Sequence, residues 1–231
     1  MLTAQPAAER QQAGARIGRY RLIRRLGHGS SGEVHEAVQL STGRRVALKL
    51  AHENTEAVAA LRREIEVLGR LQHPAAVPLL DAGSWRRRPF LVAGLAGGGS
   101  LEQHAGRPWP LDAVLAVLEP VAGVLDALHG SGFAHGDVAP RNVLLNAEGS
   151  AWLIDFAGAT RLGCAEPERA AMGTLGFIAP EILCGGPPSA AADRYSLAAL
   201  AYLLLCGVPP NRVDPAAGDP GMDSLPAPVR P

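Results

Sequence analysis

The stretch HGDVAPRNVLL, from His135 to Leu145, combines an acid and an amide at a spacing that suits phosphoryl transfer. Asp137 carries a carboxylate that can accept the proton of a hydroxyl group, and Asn142 follows five residues later. Asp155, in the later segment IDF, adds a second carboxylate, and oxygen ligands of this kind are preferred by Mg²⁺. The structural alternative is that Asp137 caps a turn and Asn142 a loop. We favour a magnesium-assisted phosphoryl transfer.

A glycine-rich segment upstream, GHGSSGEV, places Gly27, Gly29 and Gly32 between two apolar runs. Backbone amides in such a segment can bind phosphate oxygens because no side chain obstructs the approach. Taken alone, the segment also fits a hairpin that binds no ligand. Lys49, in VALK, lies within an apolar strand where a charge needs a partner. The two features together predict a site for the phosphates of a nucleotide.

The elements that must position these residues are visible in the hydrophobic pattern. Short apolar runs over Tyr20–Leu26, Val34–Leu40 and Arg45–Leu50 predict three antiparallel strands. Apolar residues three and four apart predict a helix over Thr55–Leu71 that packs on the sheet. A carboxylate of this helix would hold Lys49. Glu64 is the best candidate, with Glu66 as the competitor that faces elsewhere.

The second half of the chain predicts helices. The glycine-dense connector Gly94–Ser100 precedes them. A helical period of apolar residues predicts a helix over Leu111–His129, and the almost wholly apolar segment Asp193–Gly207 predicts a central buried helix. We expect four regions: a disordered tail at 1–16, a first lobe at 17–93, a second lobe at 94–210, and a proline-rich tail at 211–231.

The motifs GHGSSGEV, VALK, HGDVAPRN, IDF and APE occur in an order that resembles the eukaryotic-like serine/threonine protein kinases of bacterial type, from about Tyr20 to about Pro210. The resemblance implies an α+β, two-lobed fold. One lobe would be a small antiparallel sheet plus one helix, and the other a mainly α-helical lobe that lacks the last helices of the family.

The resemblance also implies roles for residues. Asp137 would be the catalytic base, supported by Lys49, Arg141 and Asn142, and Asn142 and Asp155 would hold Mg²⁺. The positions implied to bind ATP are Leu26, Gly27, Gly29, Gly32, Val34, Ala47, Lys49, Glu64, Gly94, Ala96, Leu144 and Asp155.

Departures from the family pattern carry predictions of their own. Gly136 replaces an arginine that, in many relatives, pairs with a phosphate on the activation segment, and Gly158–Met172 contains one hydroxyl residue, Thr160. We therefore expect no switching by phosphorylation of this segment.

The substrate hydroxyl is left open by three further positions. Ala139 replaces a supporting lysine, whose place Arg141 can reach with a guanidinium in a manner similar to tyrosine kinases. Thr174 instead favours a serine or threonine acceptor.

Ala157 replaces a glycine, loses access to positive φ, and should stiffen its segment.

Composition limits the partners. Twenty-two basic and 22 acidic residues give a formal net charge of zero, so no global charge favours nucleic acid or a membrane. Three widely spaced cysteines indicate neither a disulfide framework nor a zinc site, and we expect a cytoplasmic protein. The resemblance to protein kinases implies a protein substrate.

The short second lobe leaves a competing hypothesis. If helices are missing, Glu181 would be buried without a partner and the apolar helix Asp193–Gly207 partly uncovered, which would favour self-association or a covering partner. The alternative to an active serine/threonine kinase is thus a pseudokinase or ATP-binding scaffold. A small-molecule kinase is a third, more distant reading.

Overall fold

A computed structural model describes residues 14–164 and 173–210. The chain divides into two compact units. The first comprises residues up to Arg70 together with Val77–Leu95, and the second comprises Leu71–Ala76 and the chain from Ala96 onward. The predicted tails fall mostly on residues 1–13 and 211–231, which lie outside the described residues.

The first unit contains an antiparallel sheet of six strands in the order β1-β2-β3-β4-β6-β5. The strands are β1 (Arg16–Ile17), β2 (Tyr20–Gly29), β3 (Gly32–Gln39), β4 (Arg45–Ala51), β5 (Leu79–Trp85) and β6 (Arg88–Ala93). The three strands predicted from the sequence are confirmed. β2 extends through Gly29, so that the turn to β3 is only Ser30 and Ser31.

Alternation along these strands gives the sheet one apolar face. Leu22, Ala37 and Val46 are directly opposite one another on β2, β3 and β4 and are almost completely buried. Because side chains alternate between faces, the neighbouring residues Arg21, Val38 and Arg45 lie on the opposite face. The face that bears Leu22, Ala37 and Val46 therefore forms part of the core of the first unit.

Helix α1 (Thr55–Arg70) packs on β4, β5 and β6. Asn54 caps its N-terminus, since its Oδ1 accepts a hydrogen bond from the amide of Ala57 at 2.7 Å. The predicted apolar stripe is confirmed for Leu61 and Leu68, which are buried. The same buried face carries one acid, Glu64.

The second unit is mainly helical. Its helices are α2 (Leu101–His104), α3 (Leu111–Gly130), α4 (Pro180–Leu183) and α5 (Ala190–Cys206), and its short strands are β7 (Phe133–Ala134), β8 (Val143–Leu145), β9 (Ala151–Leu153) and β10 (Thr160–Arg161). β8 pairs with β9 and β7 with β10. The long helices α3 and α5 pack together, and Pro120 lies inside α3.

The predicted apolar helix corresponds to α5, which Ser189 caps by accepting a hydrogen bond from the amide of Ala192 at 3.1 Å. Leu200 and Leu204 of α5 are buried. No helix of the described residues is long and apolar enough to span a membrane. The expectation for Glu181 is wrong, because this side chain is exposed and its carboxylate does not lose its hydration.

Candidate functional site

The first unit contains a buried ion pair between β4 and α1. Nζ of Lys49 lies 2.7 Å from Oε2 of Glu64, and the two side chains are only 10% and 4% exposed. The competitor Glu66 is exposed and instead pairs with Arg70, one helical turn later, at 3.0 Å. Of the two candidate acids, Glu64 is therefore the one that contacts Lys49 in the structure.

The glycine-rich hairpin joins β2 to β3 with open space at two of its glycines. A Cβ at Gly27 or Gly29 would meet no other atom within 4 Å. At Gly32, by contrast, a Cβ would collide with the backbone carbonyl of Leu50. Packing within the protein therefore requires glycine at Gly32, whereas it makes no such demand at Gly27 and Gly29.

Val34, Ala47 and Lys49 lie on one face of the sheet. Val34 is directly opposite Lys49, and Ala47 lies two residues before Lys49 on the same strand. Leu26, within the exposed part of β2, is 39% exposed. The amide of Gly94 donates to the carbonyl of Pro78 at 3.1 Å. Of the remaining positions predicted to bind ATP, Ala96, Leu144 and Asp155 belong to the second unit.

The carboxylate of Asp137 receives three hydrogen bonds from side chains of the second unit. Nη2 of Arg141 donates to Oδ2 at 2.9 Å, and Nδ2 of Asn142 donates to the same oxygen at 2.8 Å. The hydroxyl of Thr174 donates to Oδ1 at 2.9 Å. A carboxylate offers about four acceptor positions, so Oδ1 retains one for a further donor.

The loop that bears Asp137 is held by a buried acid, Asp193, in the first turn of α5. Its carboxylate accepts the amides of His135 at 2.7 Å and Gly136 at 2.9 Å. Nε2 of His129 lies 2.8 Å from the same carboxylate. Because Asp193 is almost fully buried, these donors replace the water that the charge has lost.

The ring of His135 connects the loop to the following hairpin. Nδ1 accepts the amide hydrogen of Asp137 at 3.2 Å, and Nε2 donates to the carbonyl of Ile154 at 3.1 Å. The ring also packs edge-on against Phe156, with 5.0 Å between centroids. These two contacts match the imidazole tautomer that carries its hydrogen on Nε2, because Nδ1 accepts a hydrogen bond.

Asn142 and Asp155 are brought to the same end of a hairpin. β8 and β9 pair with Val143 opposite Leu153, and the amide of Ile154 donates to the carbonyl of Asn142 at 2.9 Å. Asp155 follows directly, with a left-handed φ of 63°. The side-chain Nδ2 of Asn142 also donates to the backbone carbonyl of Asp137 at 2.8 Å, so Oδ1 takes no part in this contact.

This donor set fits magnesium. No group of three or more His, Cys, Asp or Glu able to hold a metal occurs in the described part of the chain. Mg²⁺ does not need such a cage, because it keeps several waters and usually binds through one or two carboxylates together with phosphates. The oxygens of Asn142 and Asp155 match that requirement.

The sequence matches the family model of the protein kinase domain over residues 20–219. This chain belongs to the protein kinase domain family. The kinase domain is 36% identical over 217 residues to serine/threonine-protein kinase PknD of Mycobacterium tuberculosis, covering 88% of this chain and 32% of that protein. It is 36% identical to PknH of Mycobacterium bovis, covering 90% and 36%, and 35% identical to PknE of Mycobacterium tuberculosis, covering 87% and 37%. The chain thus spans about a third of the length of these curated relatives.

The positions where this kinase domain departs from the family pattern have local explanations. Gly136 adopts a φ of 78°, a left-handed conformation that glycine adopts without strain. At the Asp155 turn the positive φ falls on Asp155, and Ala157 has none, so alanine costs nothing in this conformation. Ala139 is fully buried, and Arg141 beside it directs its guanidinium to Asp137.

Sequence reasoning did not assign His129 or Asp193 to the site of the kinase domain. Asp193 was placed only as the first residue of a predicted apolar helix. One signal could have identified its role: it is a charge at the start of an almost wholly apolar helix, where burial requires partners. His129 carries no such local signal, because its contact with Asp193 spans 64 residues of sequence.

Proposed function

We propose that this chain is an ATP-dependent protein kinase that transfers the γ-phosphate to serine or threonine hydroxyls of proteins. The observation that carries the proposal is the carboxylate of Asp137, fixed by Arg141, Asn142 and Thr174 with one acceptor position left on Oδ1. That position suits the hydrogen of an incoming hydroxyl group. The names of PknD, PknH and PknE favour serine and threonine as acceptors.

Asp137 would act as the base. As the substrate oxygen forms its bond to the γ-phosphorus, the proton of the hydroxyl passes to Oδ1 of Asp137, and the bond between the γ-phosphorus and the leaving oxygen of ADP breaks. The three donors fix the direction of the carboxylate before the substrate arrives, which lowers the cost of alignment. Arg141, which is half-exposed, would in addition offer its remaining guanidinium hydrogens to the transferring phosphate.

The nucleotide would be bound by the residues predicted from the sequence. Lys49, held by Glu64, would donate to the phosphates, and the backbone at Gly27, Gly29 and Gly32 would donate its amides. The adenine would contact Leu26, Val34, Ala47 and Leu144, with Gly94 and Ala96 at its edge. Asn142 and Asp155 would hold Mg²⁺, which when bound neutralises charge on the phosphates.

The proposal includes two lobes at 17–93 and 94–210, flanked by tails at 1–16 and 211–231. We also propose a cytoplasmic location. Cys164, Cys184 and Cys206, all within the described residues, form no disulfide, and two of them are exposed, which fits a reducing compartment.

The acceptor class is tested by incubating the chain with magnesium, γ-labelled ATP and a panel of acceptors. The panel contains a basic protein, the chain itself and an aminoglycoside. We expect phosphoserine or phosphothreonine in acid hydrolysates of the labelled protein. Label on the aminoglycoside alone would identify a small-molecule kinase, and a raised melting temperature with ATP but no label would identify an ATP-binding scaffold.

A further inference from the structure

The zero net charge of the chain conceals a division between its two units. In the described residues, the first unit contains 14 Lys and Arg against seven Asp and Glu, a net charge of +7. The second unit contains four Arg against nine Asp and Glu, a net charge of −5. Because the two units carry charges of opposite sign, the positive unit of one copy of the chain is attracted to the negative unit of another copy.

Three exposed arginines of the first unit lie on the sheet face opposite the apolar core. Arg16 of β1 is opposite Arg21 of β2, Arg21 is opposite Val38 of β3, and Val38 is opposite Arg45 of β4. The three arginines are exposed. Side chains directly opposite one another share a face, so Arg16, Arg21 and Arg45 form one line across four strands. We call these three residues the arginine row.

One acid accompanies the row. Glu36 of β3 is fully buried and accepts a hydrogen bond from Nε of Arg24 at 2.8 Å, and it also pairs with Arg45. Its single negative charge is thus already shared by two guanidinium groups. Arg16 and Arg21 make no ion pair with any of the described residues. The row consequently keeps most of its positive charge, in side chains whose planar fork suits carboxylates.

The second unit carries a complementary surface on helix α3. Asp112, Glu119 and Asp126 are exposed and are spaced seven residues apart, which places them on one side of the helix. Leu115, 44% exposed, lies beside them, and no Lys or Arg occurs in α3. We call Asp112, Glu119 and Asp126 the acidic face.

The two surfaces also match in spacing. Successive acids on α3 are separated by about 10.5 Å, from a rise of 1.5 Å per residue. Arg21 and Arg45 are separated by two strand spacings, or about 10 Å. A pair of neighbouring acids can therefore meet Arg21 and Arg45 together, with Arg16 extending the row toward a third contact.

We propose that the arginine row of one copy binds the acidic face of a second copy. The contact consists mainly of ion pairs, and Leu115 adds an apolar side chain beside them. The partner is a second copy of this chain, because the chain itself carries both complementary surfaces. Since its charges are exposed, the contact weakens with ionic strength. The inference is independent of the kinase activity proposed above, as none of its residues lies in the candidate site.

Sedimentation velocity of the full chain, over a series of protein concentrations, tests this contact. We expect concentration-dependent association at about 50 mM NaCl and a monomer at about 500 mM, where screening is strong. Arg21→Glu should weaken association about tenfold, because like charges then face each other. The matched control is Arg62→Glu, an exposed arginine of α1 whose reversal changes net charge equally and should leave association unchanged.

Charge exchange makes the test specific. Glu119→Arg alone should also weaken association, whereas an equimolar mixture of Arg21→Glu and Glu119→Arg chains should associate. A monomer at low salt, equal effects of Arg21→Glu and Arg62→Glu, or failure of the mixture to associate would each overturn the proposal. Binding of duplex DNA or of anionic vesicles by the arginine row, without self-association, would likewise overturn it.

Discussion

Thr174 donates its hydroxyl hydrogen to Oδ1 of Asp137 at 2.9 Å, across 37 residues of sequence. The contact ties the segment after residue 172 to the loop that carries the proposed base. It also occupies the carboxylate oxygen that keeps one free acceptor position. Thr174 therefore controls the direction in which Asp137 meets a substrate hydroxyl.

Replacing Thr174 should separate its hydroxyl from its bulk. Thr174→Val keeps the shape and removes the donor, so kcat should fall about tenfold through loss of alignment, with little change in the KM for ATP. Thr174→Ser keeps the donor and should retain most of the activity. Steady-state kinetics of both variants check this prediction. Equal losses of kcat in Thr174→Val and Thr174→Ser would show that the hydrogen bond has no role.

The two acids of α1 offer a matched comparison. Glu64→Gln leaves Lys49 buried beside a neutral group, so the KM for ATP should rise about tenfold and thermal stability should fall. Glu66→Gln breaks only an exposed pair with Arg70, worth less than about 1 kcal/mol, and should behave as wild type. Kinetics with varied ATP, together with melting curves, distinguish them. Similar effects of the two substitutions would contradict the assigned pairing.

Activity should not depend on phosphorylation of the segment from Gly158 to Met172. Its one hydroxyl residue, Thr160, is 3% exposed, so a modifying enzyme could not reach it without local unfolding. Treatment with a phosphatase should leave the rate of label transfer unchanged. A fall in rate after phosphatase, reversed by renewed incubation with ATP, would refute this expectation.

Acid should weaken one contact of the first unit. Burial alone would raise the pKa of Asp81, but hydrogen bonds from Tyr20 and Arg19 outweigh it and hold that pKa below its ordinary value. A depressed pKa means that the carboxylate stabilises the fold above its unfolded pKa of about 3.9 and loses this contribution as pH falls through the folded pKa.

The measurement is the unfolding free energy in urea of wild type and Tyr20→Phe. Their difference should be below about 1 kcal/mol at pH 7 and should shrink as the pH falls through the folded pKa of Asp81 and its carboxylate becomes protonated. Tyr195→Phe, an exposed tyrosine of α5, is the control and should show no such pH dependence. A Tyr20→Phe difference that grows in acid would reverse the assigned sign.

Local patterns predicted the elements well. Short apolar runs beside a glycine-rich turn identified β2, β3 and β4, a helical period identified α1 and α3, and an almost wholly apolar segment identified α5. A charge within an apolar strand predicted that Lys49 needs an acid. These features depend on residues close in sequence. The choice of Glu64 over Glu66 also follows from the face of one helix.

Other features could not be read from local patterns. The contacts of Asp193 with His129, His135 and Gly136 join residues 57 to 64 positions apart. The exposure of Glu181 depends on the packing around it, and the positive φ at Asp155 on the geometry of its turn. The arginine row depends on how the strands are aligned with one another. The composition of the chain does not reveal it, because the basic and acidic residues sum to a net charge of zero.

The most direct test of the account is transfer of label from γ-labelled ATP by the wild-type chain and by Asp137→Asn, with magnesium and a generic protein acceptor. We expect labelled serine or threonine with wild type and a loss of about a hundredfold or more in the variant, with an unchanged melting temperature. Equal labelling by the two proteins, or no labelling by wild type although ATP raises its melting temperature, would contradict the role of Asp137 as the base of a working kinase.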